Sequence, residues 1–166
     1  MPIIDGMLQE LDQEAATTRR VLERVPNDHL AWRPHEKART LGELSHHVAT
    51  VPGAVAELVA SATTVQAPQF KDPQLQNASE LLPMLDDSIA KAKKALSGIS
   101  DSDLMATWRM MRGEREILAI PRVAMLRTVM LNHWYHHRGQ LSVYLKQLDV
   151  PIPSIYGPSA DENPFT

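Results

Sequence analysis

Two histidines, His133 and His137, stand four residues apart in a segment with helical apolar spacing. On a helix that turns 100° per residue, they differ by about 40° in direction and by about 6 Å along the axis. Both imidazole rings can therefore reach one cation. The two residues also lie on the apolar face that Met130, Leu141 and Tyr144 otherwise form, which directs both rings toward the protein interior.

His47 repeats this placement on another predicted helix, on the apolar face between Leu44 and Val51. Buried imidazoles without hydrogen-bond partners would each cost about 1–3 kcal/mol, and a single divalent metal ion would satisfy all three rings. Three histidine ligands with one open position are typical of catalytic zinc sites. The other explanation is hydrogen bonding within the core, and the spacing of the histidine pair alone does not separate the two.

The composition excludes several kinds of site and partner. The chain has no cysteine, so disulfides, thiolate ligands and cysteine nucleophiles are excluded, and a metal ion must be held by histidine, carboxylate or water. A formal charge of −3 provides no basic surface for nucleic acid or anionic lipid, so we expect neither as a partner. No apolar run reaches the roughly 20 residues that span a membrane, and no signal-peptide pattern is present, so we expect a cytoplasmic protein.

Three polar residues near these histidines allow more than one interpretation. Glu43 follows Thr40 by three residues and fits a capping box, which we favour over metal ligation. Gln140 faces the same way as the histidine pair and is either a surface amide or a hydrogen-bond partner within the site. Arg138 points about 100° away from the pair, so we interpret it as a salt-bridge residue rather than an anion-binding one.

The other four histidines are not predicted to be ligands. His46 and His136 are each one residue from a candidate ligand, so their side chains point about 100° away and are expected to be exposed or to lie beside the site. His29 and His35 lie in a predicted loop and are interpreted as surface residues.

Four segments show helical apolar spacing, and they cover about residues 4–25, 40–58, 79–96 and 121–148. Pro52 is predicted to kink or loosen the second helix. Residues 61–77 are expected to form a loop, 101–119 a short hairpin, and 149–166 an irregular tail that holds four of the 12 prolines. The predicted fold is a single all-α domain over residues 1–166, a four-helix bundle with a hairpin before its last helix.

Three segments match one family pattern. His133–Leu141 (HWYHHRGQL) is similar to an H-x-x-x-H-R-G-Q motif. Leu30–Pro34 (LAWRP), followed by Thr40–Ala49 (TLGELSHHVA), is similar to a W-R-P loop and the first ligand-bearing helix of the same family. Asp149–Glu162 is similar to its C-terminal tail. Together, over nearly the whole chain, these segments resemble the DinB-like (DinB/YfiT) superfamily of four-helix metalloproteins.

The resemblance implies a site and a class of chemistry. It implies a divalent zinc, nickel or iron ion on His47, His133 and His137, with water completing the shell, in a protein that is usually a homodimer. The pattern His47-Val48-Ala49 favours His47 over its neighbour in the histidine doublet. Some members of the superfamily transfer a low-molecular-weight thiol such as bacillithiol or mycothiol to an electrophile, or isomerise maleylpyruvate with mycothiol.

The leading hypothesis is a metal-dependent enzyme that joins a low-molecular-weight thiol to an electrophilic small molecule, or a chemically related hydrolase. Because the chain lacks cysteine, the thiol would be a cofactor. It would bind in a cleft formed by the loop near Trp32, the hairpin around Trp108 and the tail, with Tyr156 or Arg109 as candidate lining residues.

Two alternatives involve no catalysis. One is a metal-binding stress-response bundle in which a fourth protein ligand, with Glu43 as the candidate, closes the tetrahedral site. The other is a small-molecule binder with a dry, histidine-lined core and no metal ion.

Overall fold

The computed structural model describes residues 2–69 and 73–165. Its helices are α1 (Ile3–Leu22), α2 (Leu41–Ser61), α3 (Leu81–Leu96), α4 (Asp101–Met105), α5 (Arg122–Met125) and α6 (His133–Gln147). Its strands are β1 (Thr64–Gln66), β2 (Thr107–Arg112) and β3 (Arg115–Pro121). Met1, residues 70–72 and Thr166, which belong to the predicted domain, lie outside the described residues. Within the described ranges, every helix is too short or too polar to cross a membrane.

The fold is mainly helical but includes a three-stranded sheet of order β1-β2-β3, so the all-α prediction was too narrow. The predicted hairpin is confirmed as the antiparallel pair of β2 and β3, which turns at Gly113 with a φ of 60°. The parallel strand β1 was not predicted and lies in the expected loop. Three residues are too few to show an alternating pattern, so only their pairing with a distant strand makes them a strand.

The core lies between α1, α2, α3 and α6, with α2 packed along both α3 and α6. Fully buried leucine side chains each contribute about 1.5–3 kcal/mol relative to exposed ones. The largest fully buried apolar residues of the helical segments are Leu11, Leu41, Leu44, Leu81, Leu85, Leu96, Leu104, Leu126, Met130 and Trp134. This shared core holds α2 and α6, the two helices that carry the candidate ligands, against each other.

A close approach between α2 and α3 depends on Gly53. A Cβ at this position would lie 2.7 Å from the Ser88 carbonyl oxygen, so only glycine fits without movement. The Gly53 N–H donates to the Ser88 hydroxyl at 2.9 Å, and that hydroxyl donates to the Thr50 carbonyl at 3.1 Å. These bonds satisfy polar groups that the tight packing removes from water.

The last predicted helix is divided by a π-helical segment, Leu126–Asn132, that separates α5 from α6. A π turn holds more residues than an α turn, so it changes the direction in which later side chains point. The beginning of this region is anchored by Arg122, whose Nε donates to the Val59 carbonyl at 3.1 Å and whose Nη1 donates to the Asp103 carbonyl at 2.9 Å. His133, the first residue of α6, directly follows the π segment.

The C-terminal segment after α6 is irregular, as predicted. Two ion pairs attach it to the helices. Arg20 of α1 donates to both carboxylate oxygens of Glu162 at 2.5 and 2.7 Å, and Lys146 of α6 donates to both oxygens of Asp161 at 2.9 and 3.0 Å. Exposed pairs of this kind contribute about 0–1 kcal/mol each, so they guide the path of the tail more than they stabilise the fold.

Candidate metal centre

Three imidazole rings meet between α2 and α6, and they belong to His47, His133 and His137. One ring nitrogen of each lies within 4.8 Å of the other two, and the Nε2 atoms of His47 and His133 are 3.0 Å apart. The ring centroids are 5.3, 4.5 and 4.3 Å apart. Nitrogens bound tetrahedrally to one zinc ion at about 2.0–2.1 Å stand roughly 3.4 Å from each other, so small ring movements suffice to bind an ion.

A capping box defines the beginning of α2, the helix that carries His47. The Thr40 hydroxyl accepts from the Glu43 backbone N–H at 3.1 Å, and the Glu43 carboxylate accepts from the Thr40 N–H at 2.7 Å, as predicted. The other Glu43 oxygen accepts from the Gln74 amide at 3.2 Å. Among the described residues, the cluster contains three histidines and no carboxylate, so the geometry does not support Glu43 as a fourth ligand.

A hydrogen bond joins α2 to α6 beside the three rings. The Trp134 indole N–H donates to the Val48 carbonyl at 2.7 Å. That carbonyl lacks its usual partner in the helix because Pro52, four residues further on, has no N–H. Trp134 follows His133 and Val48 follows His47, so the bond sets the spacing of the helices at the site. α2 continues through Pro52. The loosening of the helix that Pro52 was predicted to cause is offset by the Trp134–Val48 hydrogen bond.

Gln140 orients one of the rings. Its side-chain oxygen lies 2.7 Å from the His137 Nδ1. An amide oxygen only accepts hydrogen bonds, so His137 carries its proton on Nδ1 and has a lone pair on Nε2. Metal-binding histidines commonly donate their second ring nitrogen to an oxygen in this way. Of the two sequence-based interpretations of Gln140, the structure supports the partner within the site.

The environment keeps the α6 histidines neutral. Burial lowers the pKa of His133, and the positive charge of Arg39 lowers it further. Burial also lowers the pKa of His137 to about 4, although its bond to Gln140 acts in the opposite direction. Neutral imidazole is the form that binds a metal ion, so both rings are in the required state at neutral pH.

Arg39 is a residue near the cluster that the sequence analysis did not select. Its backbone carbonyl accepts from the Tyr144 hydroxyl at 3.4 Å, and the Trp32 ring meets the Tyr144 ring edge-on at 5.5 Å. These contacts place the loop before α2 against α6. The sequence signal was the position of Arg39 directly before the capping residue Thr40, at the helix end nearest the histidine.

The remaining histidines lie outside the cluster. His136 is exposed, with its ring centroid 5.0 Å from that of His137, and His46 is half-buried. His29, at the end of the short 3₁₀ helix Asn27–His29, and His35, in the loop that follows, are exposed surface residues, as predicted.

Arg138 forms the predicted salt bridge. Arg138 is 1% exposed. Its guanidinium lies 2.7 Å from the Glu14 carboxylate and also donates to the Thr18 hydroxyl at 3.0 Å. The Tyr156 hydroxyl accepts from Arg138 and donates to Glu14 at 2.9 Å. Tyr156 therefore supports the contact between α1 and α6, and its role in lining a cleft stays a prediction.

The hairpin around Trp108 was expected to form one wall of the cleft, with Arg109 as a candidate lining residue. Trp108 itself is fully buried in the core. Arg109 forms an ion pair with Glu116 of the neighbouring strand at 2.6 Å. Of the three elements expected around the site, the loop with Trp32 is the one that contacts α6 through an aromatic pair.

The model of the DinB family matches residues 3–164. The chain belongs to the DinB family. This DinB protein is also similar to YrdA of Bacillus subtilis (strain 168), an uncharacterised protein, with 27% identity over 165 residues that cover 96% of this chain and 91% of YrdA.

Solved DinB-like structures share the fold of this DinB protein. One from Bacillus cereus is 25% identical with a TM-score of 0.70 and covers 92% of this chain and 97% of its own. One from Bacillus subtilis is 18% identical with a TM-score of 0.66, covering 90% and 97%. One from Exiguobacterium sibiricum, assigned to the DinB family, is 22% identical with a TM-score of 0.58, covering 89% and 95%.

Proposed function

We propose that this DinB protein is a divalent-metal-dependent enzyme that transfers a low-molecular-weight thiol to an electrophilic small molecule. The observation that carries the proposal is the convergence of His47, His133 and His137, whose ring nitrogens lie within 4.8 Å of one another. The α6 rings are held neutral, and His137 has its Nε2 lone pair directed by Gln140. Imidazole donors suit zinc, nickel and iron, so the residues fit the proposed ion.

The arrangement favours a reactive site over a closed structural one. Structural zinc sites use four protein ligands, whereas catalytic sites keep a position open. Glu43, the candidate for a fourth ligand, caps α2, and Gln140 bonds to a ring nitrogen of His137. A divalent ion held by the three histidines supplies Lewis acidity, which lowers the pKa of a thiol placed at the open position.

The amino-acid composition indicates the source of the thiol. It contains no cysteine, so the sulfur must belong to a bound small molecule. In the transfer, a sulfur–carbon bond forms, the bond from that carbon to the leaving group breaks, and the leaving group departs with the electron pair. The thiol proton passes to solvent. The protein residues hold the three rings at fixed spacing, through the Trp134–Val48 bond, while this occurs.

Metal content tests the ligand set. Untagged protein is incubated with zinc, nickel or iron(II) and desalted, and its metal content is measured by inductively coupled plasma mass spectrometry. We expect about one ion per chain for the wild type and strong losses for His47→Ala, His133→Ala and His137→Ala. His136→Ala is the matched control and should keep its metal, because this exposed ring lies outside the cluster. Full metal retention by all three ligand variants would exclude the proposed site.

Turnover tests the reaction. Conjugation of monochlorobimane is followed with a panel of low-molecular-weight thiols, with and without a chelator. We expect a rate that requires both the protein and its metal. Equal rates with and without chelator would exclude thiol transfer through a metal-activated thiolate. Chelator-sensitive cleavage of ester substrates without any thiol would favour a hydrolase. Metal binding without either activity would favour the stress-response bundle.

The proposal also includes a small-molecule substrate in the cytoplasm and a homodimeric assembly, as the family resemblance implies. Sedimentation velocity at several protein concentrations tests the assembly. A sedimentation coefficient matching the 18.6 kDa chain at all concentrations would contradict the dimer.

A further inference from the structure

Each histidine that α6 contributes to the cluster is followed by a buried residue that bonds to a neighbouring helix. His133 is followed by Trp134, whose indole N–H donates to the Val48 carbonyl of α2 at 2.7 Å. His137 is followed by Arg138, whose guanidinium donates to two oxygens of α1. The two bonding residues are one helical turn apart, so the part of α6 that carries both histidines is attached to α1 and to α2.

The Arg138 side chain is held by contacts on several sides. Its Nη1 donates to the Glu14 backbone carbonyl at 3.2 Å and to the Thr18 hydroxyl at 3.0 Å, and its Nη2 lies 2.7 Å from the Glu14 carboxylate. The Tyr156 hydroxyl accepts from Nη2 and donates to the same carboxylate at 2.9 Å. The guanidinium carbon lies 5.3 Å from the centre of the Tyr135 ring and 5.1 Å from that of Tyr156. Few positions of the guanidinium satisfy all of these contacts at once.

Stability alone does not explain a charged residue at this position. Arg138 is buried, and a buried ion pair adds little stability compared with apolar side chains of similar volume. The planar guanidinium differs from an apolar side chain because its N–H groups require their acceptors in particular directions. The bonds to α1 and to the C-terminal segment therefore fix the orientation of α6 as well as its distance from α1.

The histidines of α6 need a fixed orientation because of the π-helical segment before them. Leu126–Asn132 is π-helical, and its wider turn changes the direction of the side chains that follow. His133 is the first residue after this segment. A ligand ring that samples several directions weakens metal binding, because the apparent affinity falls with the fraction of molecules in the competent arrangement. An anchor directly after the π-helical segment keeps this fraction high.

We propose that Arg138 is a positioning residue that holds His137 in the orientation required for metal binding, and that Tyr156 completes this anchor. The inference rests on the proposed function, which requires a metal ion on the three histidines. Arg138 acts through the backbone that it shares with His137, since its guanidinium is bonded on the α1 side. Through Tyr156, the C-terminal segment, residues 149–165, contributes to metal affinity without supplying a ligand.

The zinc affinity of the protein, measured by competition with a chromophoric chelator, tests the proposal without any turnover. Tyr156→Phe keeps the ring but removes the hydroxyl that bridges Arg138 and Glu14, and we expect zinc binding to weaken about two- to tenfold. Arg138→Lys keeps the charge but loses the planar fork, and binding should weaken by about tenfold or more. Glu162→Gln, which removes the ion pair of the same segment with Arg20, is the matched control and should bind zinc as the wild type does.

Hydrogen exchange of the metal-free protein separates positioning from a general loss of stability. Local opening accelerates exchange in one part of a protein, whereas a lower global stability accelerates it throughout the core. In Tyr156→Phe and Arg138→Lys, we expect a larger acceleration in residues 133–141 of α6 than in α3. Saturating zinc should slow the exchange of residues 133–141 again, because the bound ion then fixes the rings.

The two proposals have different outcomes in these experiments. If the wild type does not bind zinc through the three histidines, the proposed function is overturned together with this inference. If the wild type binds zinc and Tyr156→Phe binds it equally well, the inference alone is overturned. The same holds if exchange accelerates equally in α6 and α3, or if Glu162→Gln weakens binding as much as Tyr156→Phe does. Circular dichroism establishes that each variant is folded, and Tyr156→Phe decides the question if Arg138→Lys does not fold.

Discussion

The Trp134 indole N–H and the Val48 carbonyl form a 2.7 Å hydrogen bond directly beside the contact between His47 and His133. The carbonyl is available because Pro52 has no N–H to offer it. A residue that weakens one helix thus provides the acceptor that holds a second helix in place. The separation of the candidate ligands depends on this bond as much as on the apolar core.

Trp134→Phe should destabilise the protein and weaken metal binding. The phenyl ring preserves most of the apolar packing, but it leaves the buried Val48 carbonyl without its indole donor, which costs about 1–3 kcal/mol. Urea denaturation of the metal-free protein measures the loss of unfolding free energy. Adding Pro52→Ala restores a backbone donor four residues from Val48, so the double variant should lose less than the two single changes together. Additive effects would show that the two residues do not share this carbonyl.

The stability of the metal-free protein should increase with pH between about pH 4 and 6.5 and level off above that range. In the unfolded chain His137 binds a proton below its ordinary pKa of 6.5, whereas in the folded protein burial lowers the pKa to about 4. Between these values the unfolded state binds more protons, so acidification favours unfolding. His133, whose pKa is also lowered, contributes in the same direction.

Unfolding free energies measured by urea denaturation from pH 4.5 to 8 check this dependence. His137→Gln should flatten the profile, whereas the same change at exposed His29, which lies outside the cluster, should leave its slope unchanged. A slope that is identical in His137→Gln and the wild type would assign the pH dependence to other groups.

Helical periodicity selected the three histidines as candidate ligands, and the spacing from Thr40 assigned Glu43 to a capping box. Their positions depend on local rules, since spacing on a helix and a capping box involve residues only a few positions apart. The hairpin could also be predicted from the sequence, because its two strands are close together along the chain.

The features that were missed depend on tertiary contacts. β1 becomes a strand only by pairing with β2, and Thr64 aligns with Arg109, which is 45 residues away. The π-helical segment changes the phase of the apolar pattern just before His133, and a search with a constant period of 3.6 does not detect such a change. The burial of Trp108 in the core likewise depends on tertiary packing.

Gln140→Leu should lower metal affinity by about 10–100-fold with little change in stability. The side chain is exposed, so its removal from the surface has a small effect on folding. Its bond to the His137 Nδ1, however, selects the protonation state that leaves Nε2 able to bind an ion. Competition titration with a chromophoric chelator measures the affinity. Gln140→Glu retains an acceptor and should bind near wild-type strength, and Gln147→Leu, at another exposed position of α6, is the control for surface changes.

Gly53→Ala should destabilise the protein by about 1–3 kcal/mol, because the new methyl group forces α2 away from α3. The added Cβ would lie 2.7 Å from the Ser88 backbone oxygen and 2.9 Å from its Cα, and neither atom can move without shifting the helix. Gly139→Ala provides the matched control, since a Cβ there has no atom within 4 Å and alanine favours helix by about 1 kcal/mol. Thermal denaturation should therefore give opposite shifts of the midpoint for the two variants. If Gly53→Ala were as stable as the wild type, α2 and α3 would be packed less tightly than the Gly53–Ser88 contact indicates. The contact with α3 would then not determine the position of α2.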